Sequence, residues 1–203
     1  MTIYLQETLV EWGDDMFKVI DLETAGFKNS DDIAQVAIIT LNDKLVPVSY
    51  YNKYFAIHEE MPEGAYKVNG LSKSLLEKLS GGVYFEELRD EVLTELQGHI
   101  LVAHNAAFER RVLGYHLNHS LDEETWICTM QRYTPTLALR DHAGNNGYKQ
   151  CNLRELTNFA ITQAGITADK LNEMYESCVG SADTFHNALY DVYCTSFAFN
   201  VLG

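Results

Sequence analysis

The chain has 203 residues, 46% hydrophobic and 22% charged, with a formal net charge of −14; this is the make-up of one medium globular domain with a sizeable core, and it excludes a disordered chain. No apolar run approaches the ~18 residues of a membrane span, and the acidic balance argues against an extended basic track along nucleic acid while leaving room for an acidic site that loads cations. The start, MTIYLQETLVEWGDD, lacks the basic opening of a signal peptide, so a cytoplasmic address is expected, and Cys128, Cys151, Cys178 and Cys194, with no C-x-x-C spacing, are expected as reduced thiols rather than zinc ligands.

Residues 1–15 read as an N-terminal arm, either an edge strand over Thr2 to Leu5 or a flexible acidic extension, and the folded domain is expected over 16–203. Phe17 to Leu22 is an apolar strand that runs into two acids, Asp21 and Glu23. Side chains at i and i+2 share one face of a strand, so both carboxylates point the same way at its C-terminal end. Held that close they repel, and a cation, a lysine or open water has to accommodate them. A turn over Gly26 to Asp32 leads to a second strand, Ile33 to Thr40; Asn42-Asp43-Lys44 is a hairpin signal, and Val46 to Ile57 reads as the third strand.

Pro62 to Gly70 reads as a connection. Ser72 to Leu79 and Tyr84 to Leu96 space their leucines as helices on either side of the breaker Gly81-Gly82. The strand His99 to Ala103 runs into a helix over Ala106 to Leu117, with Asn105 as N-cap and Phe108, Val112 and Tyr115 repeating at i, i+4 and i+7. A short fifth strand follows near Thr125 to Thr129, then a helical or turn segment Met130 to Leu139, a loop Asp141 to Lys149, and helices Asn152 to Ala164 and Ala188 to Val201. This order alone specifies a mixed α/β domain. From Ile127 to Arg154 the only acid is Asp141, while Arg132, Arg140, Lys149 and Arg154 are interleaved with Tyr133 and Tyr148. That stretch is either a phosphate- and base-contacting surface with its tip at Gly144 to Gly147, or a solvated loop balancing nearby acids. Arg110 and Arg111 read as a solvated helix face, and His104 as a structural hydrogen-bonding residue at a strand end.

Three short patterns carry chemistry: IDLETAGF (Ile20 to Phe27), AHNAAFE (Ala103 to Glu109) and HNALYD (His186 to Asp191). In this order and at this separation they resemble the three motifs of the DEDDh 3′–5′ exonucleases, the family that includes ribonuclease T and the proofreading epsilon subunit of bacterial DNA polymerase III. The resemblance runs from Met16 to the C-terminus. It implies an α/β, ribonuclease H-like exonuclease fold with a five-stranded mixed sheet flanked by helices. It also implies an enzyme that releases nucleoside 5′-monophosphates from the 3′ ends of single-stranded DNA or RNA with two divalent cations, Mg2+ or Mn2+. Such ions sit roughly 3.5–4 Å apart in two-metal sites, and they prefer carboxylate oxygens.

By the same resemblance Asp21 would bridge both ions, Glu23 and Asp191 would complete the first, and Glu109 would hold the second, partly through water. His186 is the candidate general base, since an ordinary histidine pKa near 6.5 suits proton transfer at neutral pH. On a continuous helix His186 and Asp191 would stand about 140° apart, so both face one site only if His186 lies in the loop or first turn. Ala188 is small enough to let metal and substrate approach. Backbone amides of Thr24, Ala25 and Gly26 would hold the 3′-hydroxyl region. Phe27 would either stack on a base or cover the sheet edge half-buried, and Asn105 would contact substrate or only cap its helix.

Glu109 departs from the family pattern, which has aspartate there. One more methylene displaces a carboxylate by about 1.5 Å unless the side chain folds back, and active sites respond on that scale. A working site with a weaker second metal, a site poor in turnover, and an exposed helix residue are the alternatives. They leave three functions open: a free-standing exonuclease, a proofreading or repair nuclease docked on a polymerase or other partner through the acidic arm, and a nucleic-acid-binding module whose catalysis Glu109 has weakened. A homodimer is a further possibility, and no membrane partner is expected.

Overall fold

The structure, a computed structural model, describes residues 17–97, 99–121, 125–140, 147–180 and 186–203. The N-terminal arm with its expected strand, most of the basic tip and Phe185 lie outside them. Strands β1 (Phe17–Thr24), β2 (Ile33–Leu41), β3 (Pro47–Tyr54), β4 (Ile100–Ala103) and β5 (Trp126–Cys128) form one sheet in the order β3-β2-β1-β4-β5. The first three are an antiparallel meander, and β4 and β5 continue the sheet parallel to β1. This is the expected mixed five-stranded α/β sheet. Strand β2, IAQVAIITL, is buried along its whole length because both faces are covered, and it reads as a near-continuous apolar run for the same reason.

Helices cover the two faces unequally. Phe17, Val19, Ala37 and Ile39 face a core completed by α6 (Leu153–Ala164), α7 (Ala168–Val179) and α8 (Ala188–Leu202). Ile20, Leu22, Val36 and Ile38 face the other way, toward α3 (Arg89–Leu96) and α4 (Ala106–His116). Shorter helices α1 (Glu63–Asn69), α2 (Lys73–Ser80) and α5 (Thr129–Leu137) complete the described elements. No helix among the described residues is long and apolar enough to cross a membrane.

Several boundaries differ from expectation. The connection Pro62 to Gly70 contains helix α1, opened after Pro62 and closed by Gly70 in the left-handed conformation at φ 69°. Proline before the start and glycine past the end are the signals that a reading by leucine spacing passes over. Helix α7 was not expected at all, because among its polar residues only Leu171 and Tyr175 are buried, one turn apart, after the Thr167 cap. The helix expected over Tyr84 to Leu96 is divided into a 3₁₀ turn, Phe85–Leu88, and α3. Strand β3 stops at Tyr54; beyond it Phe55 and Ile57 turn into the core. On α4 the buried positions are Ala106, Glu109, Val112, Leu113 and His116, and Tyr115 is exposed. The apolar stripe read from Phe108, Val112 and Tyr115 is therefore rotated, because a carboxylate that pattern reading assigns to solvent points inward.

Candidate active site

Asp21 and Glu23 continue the β1 face that carries Phe17 and Val19, so they lie on the α8 side of the sheet, at the C-terminal end of the strand. Glu23 pairs with Gln35 of β2, and the register shifts between Glu23 and Thr24. A bulge of this kind bends the strand and re-aims its side chains. Helix α8 delivers Asp191 from its first turn, where backbone N–H groups favour an anion. One carboxylate oxygen from each of Asp21, Glu23 and Asp191 lies within 4.8 Å of the others. Glu109 approaches this cluster from α4, in the opposite layer, near enough for its charge to act on Asp21 and Glu23, and is 4% exposed. The alternative of an exposed helix residue does not hold for it.

These acids cannot all be ionised together at low cost. Burial, then the charges of Asp191, Glu109 and Glu23, hold the Asp21 carboxyl well above the ordinary carboxylate range. Glu23 is pushed up to about 8 by burial and by Asp191, against a hydrogen bond with Asn69. Burial pushes Glu109 up to about 8, opposed by its own backbone N–H. Asp191 is pushed up to about 7 by burial, opposed by the His186 backbone N–H and by the charge of Arg154. Glu109 Oε2 and Asp191 Oδ1 are buried with no hydrogen-bond partner among the described residues. A donor set made only of carboxylates, two of them with unpartnered oxygens, fits a hard divalent cation such as Mg2+ or Mn2+ rather than zinc.

A linkage follows with a definite sign. Each of these acids holds its proton more tightly folded than unfolded, so their contribution to stability is full below the unfolded pKa near 4 and is lost as pH rises through 7 to 8. In chelator the melting temperature should therefore fall by several degrees between about pH 6 and about pH 8.5. Saturating Mn2+ should abolish that fall, because the bound ion replaces the protons. A melting temperature in chelator that is flat across this range would contradict the assignment.

His186 stands before α8 with φ 72°, left-handed and exposed, and its backbone N–H donates to Asp191 Oδ2 at 3.1 Å. For a residue with a Cβ this conformation costs roughly 1–2 kcal/mol. Because it interrupts the helical run, the 140° separation of a continuous helix does not apply. Asn187 caps α8, its Oδ1 accepting from the Leu189 N–H at 3.0 Å. Ala188 is fully buried among core residues and does not line an approach to the site.

The turn after β1 is closed by its own hydrogen bonds. Thr24 Oγ1 donates to the Gly26 carbonyl at 2.6 Å, and the Ala25 N–H donates to the Asp32 carbonyl at 2.8 Å. The Ala25 amide is thus already committed and is not available to hold a terminal hydroxyl. At Gly26 a Cβ would collide with the Asp31 carboxylate, which accepts from the Lys28 N–H at 2.7 Å. Phe27 projects from this turn 84% exposed and does not cover the sheet edge. Asn105 occupies the N-cap position of α4 but makes no side-chain capping bond. It lies instead in a surface concavity of about 880 Å³ with Phe108, Arg110, Arg111 and His119.

Three participants were not expected. Arg111, read as solvated, binds Asn29 Oδ1 and, at 3.1 Å, the Phe27 carbonyl, while its guanidinium lies 5.4 Å from the Phe108 ring centre. Asn69 sits against Glu23 and donates to the Thr24 carbonyl at 3.4 Å. Gln35 faces Glu23 from near the start of a mostly apolar strand, a signal visible in the sequence. The basic stretch is partly spent internally: Arg132 donates to the Gly203 carbonyl at 2.9 Å, Lys149 pairs with Glu155 at 2.6 Å, and Tyr133 is buried. His104 is structural as expected, bonded to Thr129 Oγ1 and the Cys151 carbonyl at 3.1 Å each, and burial lowers its pKa to about 4. All four cysteines are free thiols.

Comparison with known proteins bears on the family and the fold. The RNase_T exonuclease family model matches residues 19–196. The chain is 26% identical over 162 residues to the PolC-type DNA polymerase III of Thermotoga maritima, covering 77% of this chain and 12% of that protein. It is 30% identical over 104 residues to the 3′-5′ exonuclease DinG of Bacillus subtilis, covering 50% and 11%. The chain thus spans about a tenth of the length of these relatives. Among solved structures it is similar to exonuclease X in complex with 5′ overhanging duplex DNA, with a TM-score of 0.59 and 20% identity over 91% of this chain and 89% of the other. It is also similar to the zinc-bound complex of E. coli exonuclease I with ssDNA, with a TM-score of 0.68 and 17% identity over 93% and 40%. The fold is the one these structures share. Since the matched segment runs from β1 into α8 and takes in all four acids and His186, the chain belongs to the RNase_T exonuclease family, the DnaQ-like 3′–5′ exonucleases.

Proposed function

We propose that the protein is a 3′–5′ exonuclease that takes single-stranded 3′ ends of DNA or RNA and releases nucleoside 5′-monophosphates with the help of two divalent cations, Mg2+ or Mn2+. The observation that carries this reading is the convergence of Asp21, Glu23 and Asp191, with Glu109 close enough for its charge to bear on Asp21, from three separate elements, with two buried oxygens left unpartnered among the described residues. These four side chains would hold the ions, which when bound supply an activated water and neutralise charge on the phosphoryl group and the leaving 3′-oxygen.

The chain's own residues divide the remaining work. His186, exposed and tied by its backbone to Asp191, takes a proton from the attacking water. Phe27 offers a rigid face for stacking the terminal base, because Arg111 and the closed turn fix the loop that presents it. Arg154 brings positive charge toward Asp191, which favours the approach of a phosphate in an otherwise acidic protein. Exonuclease X and E. coli exonuclease I are similar in fold, and both were solved bound to DNA, the first with a 5′ overhang and the second single-stranded. That favours DNA as the first substrate to try. Similarity to a PolC-type polymerase over 77% of this chain favours a second context, an exonuclease working beside a polymerase, with residues 1–15 as the docking arm.

Glu109 tests this reading. Glu109 is buried, with its charge bearing on Asp21 and Glu23 despite the extra methylene, so the wild-type protein should cleave. Glu109→Asp should then change kcat less than about tenfold, whereas Glu109→Gln should lower it by roughly 10²–10³-fold. Single-turnover cleavage of a labelled oligonucleotide measures all three. An inactive wild type that Glu109→Asp awakens would move the protein to the binding-module reading.

A further inference from the structure

The N-terminus of α8 is held by a buried carboxamide, Gln35, hydrogen-bonded to two half-buried ones, Asn52 and Asn187. Gln35 is 0% exposed near the start of β2. Its Oε1 accepts from the Ala188 N–H at 3.1 Å, and its Nε2 donates to Asn52 Oδ1 at 2.9 Å and to Asn187 Oδ1 at 3.4 Å. Asn187 in turn donates from Nδ2 to the Tyr54 hydroxyl at 3.0 Å. Strands β2 and β3 thus grip the two residues that immediately follow His186 with three polar side chains, Gln35, Asn52 and Tyr54, which join that of Asn187 itself at a place where apolar packing would serve stability as well. A buried amide leaves little choice of position, since every displaced partner becomes an unsatisfied polar group.

Beside this latch His186 is held in the left-handed conformation at φ 72°. A strained residue persists only where its surroundings over-determine it. We infer that Gln35, acting through Asn187 and the Ala188 amide, is a positioning residue that fixes the backbone of His186 against the acidic cluster. Gln35 is directly across from Glu23 in the β1–β2 register, so one strand pair sets both the carboxylate and the height of the histidine above it. This rests on the reading of His186 as the base. Three of the latch's four side chains, Gln35, Asn52 and Tyr54, lie outside the three short patterns that carry the chemistry, and none of the four bears a charge.

The test compares Gln35→Met with the wild type. Methionine keeps the length and the burial but makes neither bond. Exchange of the Ala188 amide should become at least about tenfold faster, which reports that the latch is open. In that state kcat should fall by roughly 10–100-fold with KM changed less than about threefold, since a misplacement near 1 Å has effects on this scale. Asn200→Ala is the structural control: it removes the bonds from α8 to the Lys44 and Leu45 carbonyls, far from the site. It should lower the melting temperature and leave kcat unchanged.

On a His186→Ala background Gln35→Met should have no further effect on kcat, because the two changes act through one group. If Gln35→Met opens the latch and kcat holds, or if its effect adds fully to that of His186→Ala, the inference is overturned while the base assignment stands. If His186→Ala itself leaves kcat intact, the base assignment falls and takes the latch with it.

Discussion

Replacing Asp21 by asparagine is expected to abolish cleavage and, at the same time, to make the metal-free protein more stable. Asparagine keeps the volume and removes the charge that burial and three neighbouring acids oppose. Neutralising a buried, poorly compensated charge commonly stabilises by about 1–4 kcal/mol, which in a chain of this size is a rise of a few degrees or more in melting temperature. Cleavage should fall by roughly 10³-fold or more, the equivalent of several kcal/mol of lost transition-state stabilisation. The pairing of these signs distinguishes a functional acid from a structural one. Paired melting curves in chelator at about pH 8 and turnover assays with Mn2+ read both quantities. A variant that loses stability together with activity would mean that Asp21 serves the fold.

The second large effect is expected at His186. Alanine there removes the proposed base and leaves the carboxylates in place, so kcat should drop by roughly 10²–10⁴-fold with little change in KM. The shape of the pH–rate profile is the sharper reading. A general base must be unprotonated to act, so the wild-type rate should rise with pH along an acidic limb, and that limb should disappear in His186→Ala. A mutant profile that keeps the limb at reduced height would assign it to another group, and a mutant as fast as the wild type would remove His186 from the mechanism.

Much of the site was legible because the chemistry depends on local order. Asp21 and Glu23 are two residues apart on a strand, and strand geometry alone puts them on one face. His186 and Asp191 are five residues apart, and their joint use required a break in the helix, which the structure supplies as a left-handed residue. The supports were less legible because they come from distant elements. Asn69 meets Glu23 only after α1 has folded across, and Gln35 meets Ala188 across 153 residues of sequence. Arg111 looked like a solvated charge because its partners, Phe27 and Asn29, lie more than 80 residues away. Glu109 was read as belonging to the site only through its surrounding motif; helical periodicity would have placed it in water. The basic stretch shows the converse. Arg132 and Lys149 are close in sequence to other positive charges, but each is engaged within the fold.

The most direct test of the central claim is a time course of 5′-labelled single-stranded DNA and RNA oligonucleotides with Mg2+, Mn2+ or chelator. The account predicts a ladder that shortens one nucleotide at a time from the 3′ end, requires a divalent ion, and accumulates nucleoside 5′-monophosphates. Intact strands with both metals, or internal fragments in place of a ladder, would contradict it.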